Sequence, residues 1–218
     1  MKRLIALDLD GTLEDSRDDM TAAAARVRAQ LALPVREDAQ LRPWVNGGMD
    51  QLYAKCFDDF LVGSPDRADI VREAYELDYY DNVAVKTRLY AGIDAALREL
   101  SELGELACVT NKPEEISRHL LEELGVGELF GTVVGGDSCA QAKPHPIMLS
   151  TACDRLDVDP RTSKVFMIGD TAADMQLARS FGAKGIWVGW GYVAAIDAPC
   201  DFRVASPGEL PELIRRAV

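Results

Sequence analysis

Leu4-Ile5-Ala6-Leu7-Asp8-Leu9-Asp10-Gly11-Thr12 is the stretch from which the fold is read. Its first half is a short, nearly continuous apolar run, the pattern of a strand buried on both faces in a parallel sheet. Alternation along that strand puts the Asp8 and Asp10 side chains on one side and Leu9 on the other. Gly11 then lets the backbone turn closely around a ligand. Similar apolar runs recur at Leu106-Ala107-Cys108-Val109, Thr132-Val133-Val134, Val165-Phe166-Met167-Ile168 and Gly185-Ile186-Trp187-Val188. Helical periodicity fills the intervals: over 93–103 up to Gly104, from Pro113 through Leu124 up to Gly125, over 147–156, and over 171–181 up to Gly182. Proline at a first turn and glycine past a last turn are the residues that helix ends favour. Alternating strand and helix predicts right-handed βαβ units, and so an α/β fold with a doubly wound parallel sheet.

One interval breaks the alternation. Between the first strand and Ile93 no buried strand is evident, and three helical patterns replace it: Ala22–Ala25 with Val27 and Leu31; Met49, Leu52, Tyr53, Cys56, Phe57 and Phe60; and Ile70, Val71, Ala74, Tyr75 and Leu77. Pro34, Pro43, Gly47-Gly48 and Gly63-Ser64-Pro65 punctuate them. Such a length exceeds any simple strand-to-helix connection. Residues 15–87 are therefore expected to form a small helical domain inserted into a core made of residues 1–14 and 88–218.

Composition bounds the function. The chain has 218 residues and a formal net charge of −12, which argues against a nucleic-acid backbone as partner, since that needs clustered positive charge. A small anionic substrate held by a few local donors is not excluded. The longest apolar run, Gly185–Ile196, is 12 residues, short of the roughly 20 that span a membrane. Apolar residues after Lys2-Arg3 stop at Asp8, so a signal peptide is not expected. Five cysteines, an odd number with no CxxC pair, suggest reduced thiols in a cytoplasmic protein rather than disulfides or zinc. A monomer or a homodimer is expected.

In an open α/β sheet, ligands bind beyond the carboxyl ends of the strands. The runs above deliver to that edge Asp8-Leu9-Asp10, Thr110-Asn111-Lys112, Lys143 after the third run, and Gly169-Asp170-Thr171 with Asp174 beyond. Two like charges about 4 Å apart cost about 4 kcal/mol at an effective dielectric near 20. Three converging carboxylates thus call for a cation, and oxygen donors without His or Cys favour Mg²⁺ over zinc. Because Mg²⁺ shares phosphate oxygens, a phosphorylated ligand is expected. Asp8 and Asp10 could then divide labour, one as nucleophile on phosphorus and the other as general acid and base.

These motifs, taken in order, resemble those of the haloacid dehalogenase superfamily: Asp8-Leu9-Asp10-Gly11-Thr12-Leu13-Glu14-Asp15-Ser16, Val109-Thr110-Asn111-Lys112, Lys143-Pro144-His145-Pro146 and Gly169-Asp170-Thr171-Ala172-Ala173-Asp174. Ala178, Phe181-Gly182-Ala183 and Gly189-Trp190-Gly191-Tyr192 are similar to the phosphoglycolate phosphatase-like branch, which carries a helical cap domain where the insertion lies. Ala91 stands where the family often has proline. The resemblance implies a Mg²⁺-dependent phosphomonoester hydrolase acting on a small phosphorylated metabolite. In it Asp8 would become an aspartyl-phosphate, and Asp10 would protonate the leaving oxygen and then activate water. Thr110 would hold the phosphoryl group with backbone N–H groups of Asp10 and Asn111. Lys143 would pair with Asp8 and the phosphoryl oxygens, Asp170 would bind the metal with Asp8 and the Asp10 carbonyl, and Asp174 would orient the metal waters or Lys143. Dehalogenases of the superfamily lack an acid at the position of Asp10, so that activity is not expected. A phosphomutase and a non-catalytic phospho-ligand binder are the alternatives.

Weaker signals read as follows. Arg17 and Asn46-Gly47 are candidate substrate-selecting residues of the insertion. Trp44, Tyr53 and Phe57 are expected in its core, and His119 and His145 are expected to be structural. Asp58-Asp59 and Glu114-Glu115 are expected to be solvated faces.

Overall fold

The computed structural model describes residues 2–64 and 66–217. Met1 and Pro65, the latter among the punctuating prolines, lie outside the described residues. The chain divides into two compact units, one of residues 1–15 and 89–218 and one of residues 16–88.

The first unit is an α/β layer structure. Strands β1 (Arg3–Leu7), β4 (Glu105–Val109), β5 (Thr132–Val134), β6 (Lys164–Gly169), β7 (Lys184–Val188) and β8 (Phe202–Val204) form a six-stranded sheet in the order β5-β4-β1-β6-β7-β8. Every neighbouring pair is parallel. Helices α6 (Ile93–Ser101), α7 (Glu114–Glu123), α8 (Ile147–Arg155), α9 (Ala172–Phe181) and α10 (Glu209–Arg216) accompany it. Leu4, Ala6, Ala107, Val109 and Met167 pack with Met148 and Leu149 of α8 and Leu177 of α9 on one face. Their alternates Ile5, Leu7, Leu106, Cys108 and Phe166 are buried too. A strand with both faces covered needs apolar side chains at every position, which is why these runs are continuous. Each such side chain contributes about 1.5–3 kcal/mol by leaving water.

The five apolar runs are all strands of this sheet. The sixth strand, β8, and the helix α10 went unanticipated. β8 is three residues long, with Phe202 half-buried and Arg203 exposed, so it carries no apolar run. A separate two-stranded sheet, β2 (Glu14–Asp15) with β3 (Arg88–Leu89), adds strand structure to an interval where none was evident. Strand order reverses between β1 and β6, since β4 and β5 lie on one side of β1 and β6–β8 on the other. The ligand crevice of such a sheet lies at that switch point.

The second unit is helical: α1 (Arg17–Gln30), α2 (Asp38–Leu41), a 3₁₀ turn (Arg42–Gly47), α3 (Met49–Cys56), α4 (Asp58–Leu61) and α5 (Arg67–Asp81). The single helix expected over Met49–Phe60 is two, broken at Phe57, whose φ of −129° and ψ of 24° leave the helical region. Tyr53, Tyr75 and Tyr79 form an aromatic row with centroid separations of 5.6 and 5.8 Å. Phe57 is fully buried, but Trp44 is only half-buried, with the Lys55 ammonium 5.6 Å from its ring centre. It is therefore an edge residue rather than a core one.

Asp59 is not a plain solvated charge. It accepts two hydrogen bonds, of 2.8 and 2.6 Å, from the guanidinium of Arg28, a side chain 2% exposed. Arg28 also donates to the Pro34 and Cys56 carbonyls at 2.8 and 2.6 Å. In the first unit, Glu114 likewise departs from expectation, pairing with Arg118 and Arg155 at 2.8 and 2.9 Å.

Removing the Arg28 guanidinium strands two carbonyls and one carboxylate. Arg28→Ala is expected to destabilise the helical unit by roughly 2–5 kcal/mol. The check is the denaturant midpoint of the variant by circular dichroism; a midpoint equal to wild type would refute the assignment.

Candidate active site

The site sits at the carboxyl ends of β1, β4 and β6, and its residues all belong to the α/β unit. Asp8 is the first residue past β1 and continues its pairing, its N–H donating to the Ile168 carbonyl at 2.9 Å. Leu9 N–H donates to Asp8 Oδ1 at 2.8 Å, which fixes the carboxylate. The chain then reverses at Gly11, φ +79°, a conformation that any side chain would strain. Thr110 is the first residue past β4; its N–H bonds the Val134 carbonyl, and the residue is buried, its hydroxyl accepting the Lys112 N–H at 3.2 Å.

Lys143 arrives from a loop rather than a strand. Asn111 holds it there: its Oδ1 accepts the Lys143 N–H at 2.8 Å, and its Nδ2 donates to the Lys143 carbonyl at 3.5 Å. The Lys143 ammonium reaches Asp8 Oδ1 at 2.6 Å and Asp174 Oδ1 at 2.8 Å. The other oxygen of Asp174 accepts from the Thr171 N–H and hydroxyl at 3.0 and 2.6 Å, so that Thr171 and Asp174 close a capping box at the start of α9.

Asp170 is fully buried. Its Oδ2 accepts the Tyr192 N–H at 2.8 Å, while its Oδ1 has no hydrogen-bond partner. A buried anionic oxygen without a donor is costly unless something positive faces it. Oxygens of Asp8, Asp170 and Asp174 lie within 4.8 Å of one another. Burial and the Asp174 charge push the Asp8 carboxyl up to about 8, against the pull of Lys143. The same two causes push Asp170 up to about 6. Burial works to lower the Lys143 ammonium, but Asp174 and Asp8 outweigh it and hold the group charged. With Asp10 included, four carboxylates face Lys112 and Lys143, two negative charges in excess. The residues therefore fit a divalent cation: oxygen-only donors, one bare oxygen on Asp170, and a charge deficit of the right size.

Two features escaped the sequence reading. Lys112 pairs with Asp10 Oδ1 at 2.6 Å through a side chain that is 1% exposed. The available signal was spacing, since Lys112 follows Thr110 as Asp10 follows Asp8. The second is the 189–192 loop, which braces the site from behind. Besides Tyr192, Trp190 Nε1 donates to the Thr12 carbonyl at 3.0 Å, and Trp187 Nε1 donates to the Asp170 carbonyl at 2.9 Å. Of the other candidates, Arg17 opens α1 and is half-buried, whereas Asn46 and Gly47 are exposed at the end of the 3₁₀ turn. All three belong to the helical unit. His145 Nδ1 accepts the Ile147 N–H at 3.2 Å at the start of α8, a structural use.

Residues 5–188 match the model of the haloacid dehalogenase-like hydrolases. The chain belongs to that family. It is 33% identical over 198 residues to a phosphoglycolate phosphatase of Nitrosococcus oceani, covering 89% of this chain and 87% of that one. It is 32% identical over 227 residues to an N-acetylmuramic acid 6-phosphate phosphatase of Pseudomonas aeruginosa, covering 100% and 99%. Its fold superposes on the crystal structure of a predicted phosphoglycolate phosphatase from Haemophilus somnus with a TM-score of 0.83 at 25% identity, covering 97% of each chain. The chain is thus a haloacid dehalogenase-like phosphatase.

Gly191 has no room for a side chain: a Cβ there would lie 2.3 Å from Asp170 Cβ and 2.4 Å from the Gly11 carbonyl oxygen. Gly191→Ala is expected to displace Asp170 and lower phosphatase kcat by at least about tenfold, the scale of ångström-level misplacement. A wild-type rate would contradict this bracing role. Cation-free protein gives a second check. The carboxyls of Asp8 and Asp170 rise on folding from their ordinary 3.8 to about 8 and about 6. The folded state then binds more protons, so the stability these groups contribute is present at low pH and lost as pH rises from about 4 through about 8. A divalent cation binds the ionised forms. The rise in melting temperature on adding it is therefore expected to be larger at pH 8 than at pH 5, and equal shifts at both would count against this site.

Proposed function

We propose that the protein hydrolyses a small phosphomonoester, 2-phosphoglycolate being the leading substrate, through an aspartyl-phosphate on Asp8 and with Mg²⁺ as cofactor. The observation that carries the reading is the pairing of a buried Asp8 with the Lys143 ammonium at 2.6 Å beside the bare Asp170 oxygen. Lys143 pulls Asp8 toward the ionised form against burial and the Asp174 charge, and a divalent cation beside Asp170 would complete that ionisation.

In this reading an Asp8 oxygen attacks phosphorus as the bond from phosphorus to the leaving oxygen breaks, and Asp10 gives its proton to that oxygen. Asp10 then takes a proton from water, whose oxygen attacks phosphorus and releases Asp8. The Lys143 ammonium offsets charge on the phosphoryl oxygens, and the Thr110 hydroxyl orients one of them. Asp8, Asp170 and the Asp10 carbonyl would hold Mg²⁺, which supplies further charge neutralisation on the phosphoryl group. Asp174 orients Lys143. Positioning and charge neutralisation account for most of phosphoryl-transfer catalysis.

The helical unit is assigned the part of a cap, with Arg17, Asn46 and Gly47 as its candidate selecting residues. Two substrates named among the relatives, phosphoglycolate and N-acetylmuramic acid 6-phosphate, share a phosphate on a primary alcohol and a carboxylate. The substrate class is accordingly a carboxylated phosphomonoester. The five free cysteines suit a reducing, cytoplasmic setting.

The test is phosphate release from 2-phosphoglycolate, N-acetylmuramic acid 6-phosphate and N-acetylglucosamine 6-phosphate, which lacks the carboxylate. Turnover is expected for a carboxylated substrate, to disappear with a chelator and to return with Mg²⁺. Asp8→Asn is expected to abolish it, and Asp10→Asn to slow it by about 10²-fold or more. Chelator-resistant turnover, or an active Asp8→Asn variant, would overturn the reading.

A further inference from the structure

Both aspartates of the first motif carry a lysine, and only one of those lysines is used by the mechanism above. Lys143 serves Asp8. Lys112 serves Asp10, at 2.6 Å from Oδ1, and the two ends of this pair differ in their surroundings. The Lys112 side chain is 1% exposed and the Asp10 side chain 23% exposed. The cation is enclosed, while the acid stays partly accessible.

The lysine is also anchored at its base. Its N–H donates to the Thr110 hydroxyl at 3.2 Å, and its carbonyl accepts the Gly136 N–H at 3.0 Å. Gly136 lies so close that a Cβ there would stand 2.5 Å from the Asn111 carbonyl oxygen. The turn that presents Lys112 is thus the one that presents Thr110, and it has little freedom. Asp10, by contrast, lies next to the Gly11 reversal, where the backbone alone does not fix a side-chain direction. An ion pair with one immobile, enclosed partner sets the direction of the mobile one.

We propose that Lys112 is a positioning residue, one that holds the Asp10 carboxyl in the orientation from which its proton reaches the leaving oxygen. The inference rests on the reading of Asp10 as the general acid and base. Lys112 acts through Asp10 and does not itself meet the reacting atoms. Its removal should therefore matter in proportion to how much the leaving oxygen needs a proton.

The experiment compares kcat/KM for 4-nitrophenyl phosphate, whose leaving group departs readily as the anion, with phenyl phosphate, whose leaving oxygen is more basic. This ratio reports the step up to leaving-group departure and does not depend on the physiological substrate. In Lys112→Gln the loss is expected to be about tenfold or more with phenyl phosphate and within about threefold with 4-nitrophenyl phosphate. In the Asp10→Asn background the same substitution is expected to cost nothing further, because the residue it positions is already disabled. Lys112→Met is the second variant, and the melting temperature of each reports its folding.

Equal losses on the two substrates, or a full additional loss in the double variant, would overturn the proposal. So would loss of the fold in both Lys112 variants, which would make the lysine structural. An Asp10→Asn enzyme with wild-type activity on phenyl phosphate would instead remove the reading of Asp10 on which the proposal stands. The two failures are thus distinguishable.

Discussion

The Lys143 ammonium, enclosed between Asp8 and Asp174 at 2.6 and 2.8 Å, is the interaction around which the site is built. An ammonium this deeply buried survives only if its partners hold it charged, and here two do. The consequences spread outward. Asp8 has one oxygen committed and so one direction. Asp174 is at once the lysine's partner and the third helical residue of the capping box of α9, so the start of that helix is tied to the lysine that pairs with Asp8. Asp170 receives neither lysine, and its buried Oδ1 is left without a donor. What distinguishes the three carboxylates is less their own positions than how the one cation is shared among them.

That arrangement depends on the sheet. β1 is flanked on one side by β4, which is followed at once by Thr110, and on the other by β6, which is followed at once by Asp170. Only a strand at the switch point has neighbours whose chains lead away in opposite directions, leaving a crevice between the loops that follow them. The loop after β7 then fills the back of that crevice. The Trp190 indole N–H and the Tyr192 backbone N–H of that loop, with the Trp187 indole N–H from β7 itself, all end on carbonyls or carboxylates of the first and fourth motifs.

How much of this was legible in the sequence follows from what each feature depends on. Continuous apolar runs betray strands with two covered faces, so the five central strands could be read, whereas β8, with Arg203 exposed at its middle, could not. The helical interval was legible as such, but its division was not. The break at Phe57 leaves the apolar spacing of Met49–Phe60 intact, because it changes backbone angles and not the pattern. At the site, residue types and strand ends were enough to nominate Asp8, Thr110, Lys143 and Asp170. Lys112 was in view within its motif and had no role, because nothing local tells which way a side chain turns after a strand has ended. Asp59 and Glu114 misled for a similar reason: each lies beside a second acid, which suggests a solvated face, while Arg28, 31 residues from Asp59, and Arg155, 41 residues from Glu114, come from distant parts of the chain to pair with them.

The overall charge raises a last question of physics, since a chain of net charge −12 is assigned an anionic substrate. Charges separated by more than about 8 Å are largely screened at physiological salt, so the acidic surface exerts little force inside the crevice. What acts there is short-ranged. The enclosed Lys143 ammonium, the buried Thr110 hydroxyl and a cation held by Asp8 and Asp170 would all lie close to the phosphoryl group. Because water is excluded from those contacts, each is stronger than the same contact at the surface. With a divalent cation bound the site would be neutral by the count of four carboxylates to two lysines, although the protein as a whole is acidic. The excess of carboxylates over lysines would then make the site a poor phosphate binder alone and a better one with a divalent cation present.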